Sequence, residues 1–216
     1  MVFRDRHDGG QQLTTLLESY RGKDCLILAL PRGGVPVAAE VAHHLGAPLD
    51  ILVVRKLGAP GFPEFGMGAI AEGGATCVDP EVRARLNVTE AQLSSVIHKE
   101  ERELERRIQL YRGDHKFPDI KGKDVILVDD GIATGGTARA AIQALRAWGP
   151  RRIVLAVPVV AADTAKALSS EVDALVYVEA PVHFRAVGAW YTHFDQTTDA
   201  EVIALLNNDP YKAPSG

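Results

Sequence analysis

Val125-Ile126-Leu127-Val128-Asp129-Asp130-Gly131-Ile132-Ala133-Thr134-Gly135-Gly136-Thr137 is a complete strand, turn and helix start. Four consecutive apolar residues suit a strand buried on both faces, as in a parallel sheet. Two acids stand at its carboxyl end. A turn of small residues then leads into a helix predicted from Thr137 to Trp148 and closed by Gly149. Backbone N–H groups of such a turn, with a helix N-terminus behind them, make a cradle for an anion, and small residues let a phosphate approach the main chain. Thr134 and Thr137 add hydroxyl donors.

The flanking sequence repeats the alternation. Cys25 to Leu30 is a second continuous apolar run, broken by Pro31-Arg32-Gly33-Gly34, with a helix predicted over Val35–Leu45 and stopped by Gly46. Ile51 to Val54 reads as the next buried strand, ending in Arg55-Lys56. Ile153–Val157 and Ala174–Val178 read as two more, with a helix near Ala161–Leu168 between them. Short buried strands alternating with helices define an α/β fold with a mainly parallel sheet. Residues 11–21 read as a helix, with Leu13, Leu16, Leu17 and Tyr20 on one face. Glu90–Arg112 reads as a long amphipathic helix with a capping box at Thr89 and Gln92. Gly58, Pro60, Gly61 and Pro63 predict a mobile loop over 57–66. Met67 to Val78 predicts a hairpin around Gly73-Gly74. Residues 179–216 carry Phe184, Trp190, Tyr191 and Phe194 and a last helix near Asp199–Leu206.

Two common nucleotide motifs fail on this turn. Gly131 and Gly136 have P-loop spacing, but Thr137 stands where Lys is needed and Ala138 where a magnesium-binding hydroxyl is needed. The dinucleotide pattern fails because the glycines fall at 131, 135 and 136. Paired acids before an anion cradle suit a ligand with vicinal hydroxyls about one sugar ring from a phosphate, because carboxylates accept hydroxyl hydrogen bonds well. A 5-phosphoribosyl group is such a ligand.

Asp129 to Thr137 resembles the phosphoribosyl-diphosphate (PRPP) signature of the type I phosphoribosyltransferases. Pro31-Arg32-Gly33-Gly34 resembles the pyrophosphate loop of that family, and Arg55-Lys56 the start of its flexible catalytic loop. Phe3-Arg4-Asp5-Arg6 and the segment from Pro181 to Gln196 are similar to a subgroup of stand-alone prokaryotic members, so the resemblance spans nearly the whole chain as one domain. It implies a three-layer α/β/α core over about 22–178, sheet order 3-2-1-4-5-6 with strand 3 antiparallel, and an aromatic C-terminal flap over about 179–216.

The resemblance also implies an activity: a Mg2+-dependent transfer of phosphoribose from PRPP to a small-molecule nitrogen acceptor, a nucleobase in nucleotide salvage, with release of pyrophosphate. Ala133, Thr134, Gly135, Gly136 and Thr137 would hold the 5-phosphate, and Arg32, Gly33 and Gly34 the pyrophosphate. Asp129 and Asp130 would hold the ribose hydroxyls, and Lys56 and Arg55 would neutralise the leaving group; these four are the catalytic candidates. Magnesium would bind mainly PRPP oxygens, with Asp129 and Asp130 as its protein ligands. Phe184, Trp190 and Tyr191 are candidates for the base, although packing is the simpler use of those rings. A cis peptide at Arg32–Gly33 is also implied. Many 6-oxopurine members carry an Asp where this chain has Ala133, so the acceptor base stays unassigned.

Composition narrows the field. The 216 residues carry 24 Lys and Arg against 28 Asp and Glu, a formal charge of -4, which argues against general DNA binding. No apolar run is long enough for a membrane helix, and the N-terminus has no signal-peptide core. Cys25 and Cys77 lie far apart and suggest neither a disulfide nor a zinc site, so a reduced cytoplasmic setting is expected. His43, His44, His98 and His115 have no partner spacing. A homodimer is expected by analogy with the family. Two other readings compete: a PRPP- or nucleotide-sensing regulator on the same fold, separable by turnover, and a phosphosugar hydrolase, for which no nucleophile–base pair lies near the cradle.

Overall fold

The computed structural model describes residues 3–211, with the backbone alone for 63 and 64. The first helix, α1 (Arg6–Leu17), starts five residues before the sequence expectation. Asp5 caps it, its side chain accepting from the Asp8 amide at 2.9 Å. Gly9 and Gly10 are poor helix formers, yet both are buried here. A Cβ on Gly10 would lie 2.8 Å from the Val37 carbonyl, so close packing overrides propensity.

The alternation then runs as read. Strand β1 (Cys25–Ala29) is buried throughout, and helix α2 (Gly34–Leu45) stops at Gly46, which is left-handed with φ 67°. Strand β2 (Leu49–Ile51) pairs parallel to β1. The apolar run through Val54 does not stay in that sheet. The Leu52 amide still donates to the Ala29 carbonyl at 2.9 Å, but the Val53 carbonyl accepts from the Glu72 amide at 3.0 Å. From there β3 (Val54–Ala59), β4 (Phe62–Ala71) and β5 (Thr76–Val78) form a separate antiparallel sheet.

Residues 57–66 are therefore largely a hairpin, not an irregular loop. Pro60 and Gly61 make its turn, and the register shifts at Leu57/Gly58 and Gly58/Ala59 absorb the glycine. Two helices follow, α3 (Pro80–Arg85) and α4 (Glu90–Arg112). The expected Thr89–Gln92 capping box opens α4.

Strand β6 (Asp124–Val128) pairs parallel to β1 and leads into α5 (Gly136–Trp148), ended by left-handed Gly149. Strand β7 (Arg152–Val159), helix α6 (Ala162–Leu168), strand β8 (Ala174–Glu179) and helix α7 (Asp199–Asn207) complete the chain. The central sheet is wholly parallel in the order β2-β1-β6-β7-β8. Its sequence keeps the expected parallel order, but the antiparallel strands stand outside it in their own sheet.

Side chains alternate across this sheet. Ile27, Ala29, Ile126, Val128 and Val154 pack with α1, α2, α4 and α7, while Leu28, Leu127, Leu155 and Val157 pack with α5 and α6. That makes the three layers. Of the segment expected as a flap, 212–216 lie outside the described residues and the rest divides in two: α7 adds Val202 and Leu206 to the first core, whereas Val187, Trp190, Tyr191 and Phe194 pack with Phe3. Arg112 ties the two sheets together. Its guanidinium is buried and donates to the Ile51 carbonyl at 2.7 Å, to Asp50 at 3.1 Å and to both Glu72 oxygens. Among the described residues, no helix is long and apolar enough to cross a membrane.

Candidate active site

Strands β1 and β6 are neighbours whose onward connections run in opposite directions, so a crevice opens where both end. Ala29 pairs with Val128, and the Leu30 amide donates to the Val128 carbonyl at 2.9 Å. The Pro31–Gly34 turn and the Asp129–Gly136 turn therefore leave the sheet side by side. The two turns interlock. A Cβ on Gly33 would overlap the Asp130 carboxylate, and one on Gly34 would lie 2.7 Å from the Val128 carbonyl, so only glycine fits at either position. The chain carries a non-proline cis peptide at Pro31–Arg32, one residue before the expected place. Gly33 already has helical angles (φ -61°, ψ -32°) as the cap of α2, so the turn is made ahead of it.

The second turn is fixed from below. The Ile132 amide donates to the Val159 carbonyl at 2.9 Å, and the Ala161 amide to the Ile132 carbonyl at 2.9 Å. The Thr164 hydroxyl donates to the Ala133 carbonyl at 2.5 Å, and Arg139 to the Thr134 carbonyl at 3.1 Å. Carbonyls thus face the body of the protein. Gly135 is left-handed (φ 78°) and caps α5 without a side-chain hydrogen bond. Gly136 is informative for a different reason. Its φ is not positive, and a Cβ there would meet nothing within 4 Å. Neither backbone angle nor packing requires glycine at 136, and the space it leaves belongs to a hollow of about 210 Å3 bordered by Asp129, Thr134, Gly136, Thr137 and Lys56. A second hollow of about 600 Å3 adjoins it, bordered by Pro31, Arg55, Lys56, Lys99 and Thr137. Lys56 and Thr137 border both.

The acids are held in place. Asp129 accepts from the Asp130 amide at 2.9 Å, and Asp130 forms an ion pair with Arg6 at 2.8 Å. Burial raises the Asp129 carboxyl well above its ordinary range, and the charge of Asp130 adds to this. Burial raises Asp130 as well, with Arg6 opposing. Two buried carboxyls this close disfavour a second negative charge. Among the described residues, no group of three or more His, Cys, Asp or Glu is placed to hold a metal.

The remaining sequence candidates fall in different places. Arg55 is engaged by Glu100 of α4 at 2.7 Å, whereas Lys56 is exposed at the cleft. Arg32 reaches toward α7 and lies 3.6 Å from Asp199. Phe184 stacks on Trp190 with centroids 6.4 Å apart. Tyr191 is buried. Its ring packs on Phe3 and Phe194, and its hydroxyl donates to the Asp130 carbonyl at 2.5 Å. Sequence reasoning missed Arg6, Thr164, Lys99 and Asp199. The similarity of the opening Phe3-Arg4-Asp5-Arg6 and the Pro181–Gln196 segment to one subgroup was the available signal for Arg6. In the fold these two segments are hydrogen-bonded, Thr192 to Phe3 at 2.9 Å and His193 to Arg4 at 2.8 Å.

The site is thus a pair of acids and a glycine-rich turn ahead of a helix N-terminus, at the switch point of a parallel α/β sheet. A family model described as a phosphoribosyl transferase domain matches residues 10–188, and the chain belongs to that family. A Mycobacterium tuberculosis H37Rv protein, provisionally named a phosphoribosyl transferase, is 45% identical over 207 residues, covering 95% of this chain and 46% of its own length. The chain therefore spans about half the length of that relative. The crystal structure of TT1426 from Thermus thermophilus is 40% identical with a TM-score of 0.82, covering 95% of this chain and 98% of that one. A bifunctional PyrR protein of Chloroflexus aurantiacus is 33% identical over 129 residues, 58% of this chain and 65% of its own.

Proposed function

We propose that the chain transfers the 5-phosphoribosyl group of PRPP to a nitrogen nucleophile, a nucleobase in nucleotide salvage, and releases pyrophosphate. One observation carries this reading: the Asp129–Asp130 pair and the open cradle at Gly136 lie beside the Gly33–Gly34 turn at one switch point. In this reading the amides of Ala133 to Thr137 and the two threonine hydroxyls hold the 5-phosphate. Asp129 and Asp130 accept from the ribose hydroxyls. Arg32 and the Gly33 amide hold the pyrophosphate, the Gly34 amide being used on the Leu30 carbonyl at 3.1 Å, and Lys56 and Arg55 face its developing charge across the cleft. The C1–O bond breaks as the C1–N bond forms, its electron pair leaves with pyrophosphate, and the proton lost by the nitrogen passes to the departing pyrophosphate or to water. Such a step gains mostly from positioning and charge neutralisation.

Two adjacent carboxylates, with no third His, Cys, Asp or Glu grouped with them among the described residues, suit a magnesium ion that keeps mainly ligand oxygens. Bound there, the ion would neutralise pyrophosphate charge.

Calorimetric titration with PRPP, with and without magnesium, tests the site. Magnesium-dependent binding that Asp129→Asn and Asp130→Asn abolish is expected, followed by pyrophosphate release with one member of a nucleobase panel. Absence of binding by the unaltered chain would overturn the reading. A second reading, a PRPP sensor without turnover, is favoured by the burial of Tyr191 against Phe3 and Phe194, which takes one of the three candidate base-binding rings away from an acceptor. Binding without pyrophosphate release from any nucleobase would select it.

A further inference from the structure

Arg6, in the first turn of α1, reaches the acid loop that follows β6. It is mostly buried, its side chain 11% exposed, and its partner Asp130 is 14% exposed. Nε donates to Asp130 Oδ2 at 2.8 Å, and Nη1 donates to the Asp195 carbonyl at 2.6 Å. The guanidinium lies 3.9 Å from the centroid of the Phe194 ring. A Cβ on Gly33 would come 3.3 Å from Arg6 Nε as well as overlapping Asp130. One guanidinium therefore touches the acid loop, the C-terminal aromatic segment and the margin of the Pro31–Gly34 turn. Its hydrogen bonds go to Asp130 and Asp195, not to the phosphate cradle.

Surface charge does not explain this arrangement. A buried arginine is costly unless it is paired, and here Nε and Nη1 donate to one carboxylate and one carbonyl while the guanidinium lies over one ring face. A planar fork fixes the direction of its partner, which a point charge does not. Asp130 without it would be a buried carboxylate beside a second carboxylate, with no side-chain donor to fix its rotamer.

We infer that Arg6 is a positioning residue for phosphoribosyl binding, holding the Asp130 carboxylate in the gap left by Gly33 so that it is ready to accept ribose hydroxyls. The inference rests on the phosphoribosyl reading of the site. It makes the Phe3–Arg6 and Trp190–Asp195 segments part of the active site: their backbone pairing carries Arg6 to Asp130. A ligand with phosphate alone does not need Arg6, whereas a ligand read through its ribose hydroxyls does.

The test compares three probes, PRPP with magnesium, ribose 5-phosphate and inorganic pyrophosphate, on the unaltered chain and on Arg6→Gln, Arg6→Lys, Asp130→Asn and the double variant Arg6→Gln/Asp130→Asn. Arg6→Gln should weaken PRPP and ribose 5-phosphate by about tenfold or more and leave pyrophosphate within about twofold. Arg6→Lys should recover only part of the loss, because charge returns without the fork. In the Asp130→Asn background, Arg6→Gln should cost nothing further, a coupling that a merely structural role would not produce. Melting curves read alongside separate misfolding, and if Arg6→Gln does not fold, Arg6→Lys and Asp130→Asn carry the comparison. Unchanged PRPP affinity in a folded Arg6→Gln protein, equal loss for all three probes, or additive losses in the double variant would overturn the inference. So would tighter PRPP binding by Arg6→Gln, which would make Arg6 a competitor of the ribose. If PRPP binds and Asp130→Asn weakens it while Arg6→Gln does not, the inference fails alone; if the unaltered chain binds no PRPP, both fail together.

Discussion

The hydroxyl of Tyr191 donates to the main-chain carbonyl of Asp130 at 2.5 Å, joining the buried aromatic segment to the acid loop. Burial, together with the charge of Asp130, pushes the Tyr191 phenol far above its ordinary range, so it stays a neutral donor. Tyr191→Phe keeps the ring packing on Phe3 and Phe194 and removes only this bond. The orphaned carbonyl should cost about 1–3 kcal/mol in denaturant unfolding. PRPP affinity should fall several-fold, because Asp130 loses a backbone anchor. A variant as stable as the unaltered chain would mean that water replaces the hydroxyl.

Most of the central sheet was legible, and the reason is local. Cys25–Leu30, Val125–Val128 and Ile153–Val157 are short uninterrupted apolar runs bounded by turn residues, and a doubly covered parallel strand buries all of their side chains. Gly46, Gly149 and the Thr89–Gln92 box marked helix ends through their own backbone chemistry. The hairpin over 54–71 was not legible. Its Gly58, Pro60 and Gly61 carry turn signals, and only pairing with residues some ten positions away makes strands of the flanks. At the site, Asp129 to Thr137 and Arg32 to Gly34 could be read because each is a contiguous turn. Arg6 could not be read in the same way, since its partner lies 124 residues away and an arginine in a charged N-terminus gives no local sign of burial. Asp199, at the start of α7, is hidden for the same reason.

Glycines at 131 and 136 should separate structure from binding. A Cβ on Gly131 would lie 2.6 Å from Val187 Cγ1 and 2.9 Å from Val159 Cγ1, so Gly131→Ala should destabilise by about 1–3 kcal/mol. Gly136→Ala meets open space at the first position of α5 and should be neutral or stabilise by up to about 1 kcal/mol. It should nonetheless weaken PRPP by about tenfold or more, because the methyl group occupies the cradle. Paired melting curves and titrations would show the opposite pattern if Gly136 served packing.

Asp129 should make the ligand-free chain less stable as pH rises. Its carboxyl is raised by burial first and then by the charge of Asp130, so the folded chain holds this proton more tightly than the unfolded chain does. From the ordinary aspartate range up to the raised value, the unfolded state has lost the proton and the folded state has not, and stability falls with pH across that window. Other carboxyls, such as Asp5 and Asp173, are lowered by hydrogen bonds and pull the other way, so the comparison must be with Asp129→Asn. The variant's advantage should be small in acid and grow toward neutral pH to on the order of 1 kcal/mol or more. It also relieves Asp130, which adds in the same direction. Unfolding midpoints for both proteins between about pH 4 and pH 8 check this, and a difference that stays constant with pH would refute it.

Arg32 should bind pyrophosphate against competition from its own protein. The guanidinium lies 3.6 Å from Asp199 at the start of α7, and the same carboxylate accepts from the Tyr111 hydroxyl at 2.5 Å. Burial, followed by that hydrogen bond, pushes the Tyr111 phenol up to about 12, so the tyrosine remains a donor and holds Asp199 near Arg32. Asp199→Asn retains an oxygen for Tyr111 and removes the charge that attracts Arg32. Both partners of the ion pair are substantially exposed, at 31% and 44%, so the pair is weak and the gain is bounded. Inorganic pyrophosphate should bind up to about fivefold more tightly to the variant at low salt, corresponding to about 1 kcal/mol or less. The gain should shrink at high salt, where the exposed pair is screened in the unaltered chain. Weaker pyrophosphate binding in the variant would instead mean that Asp199 aims Arg32 into the crevice, and its carboxylate would then belong with the positioning residues of the site.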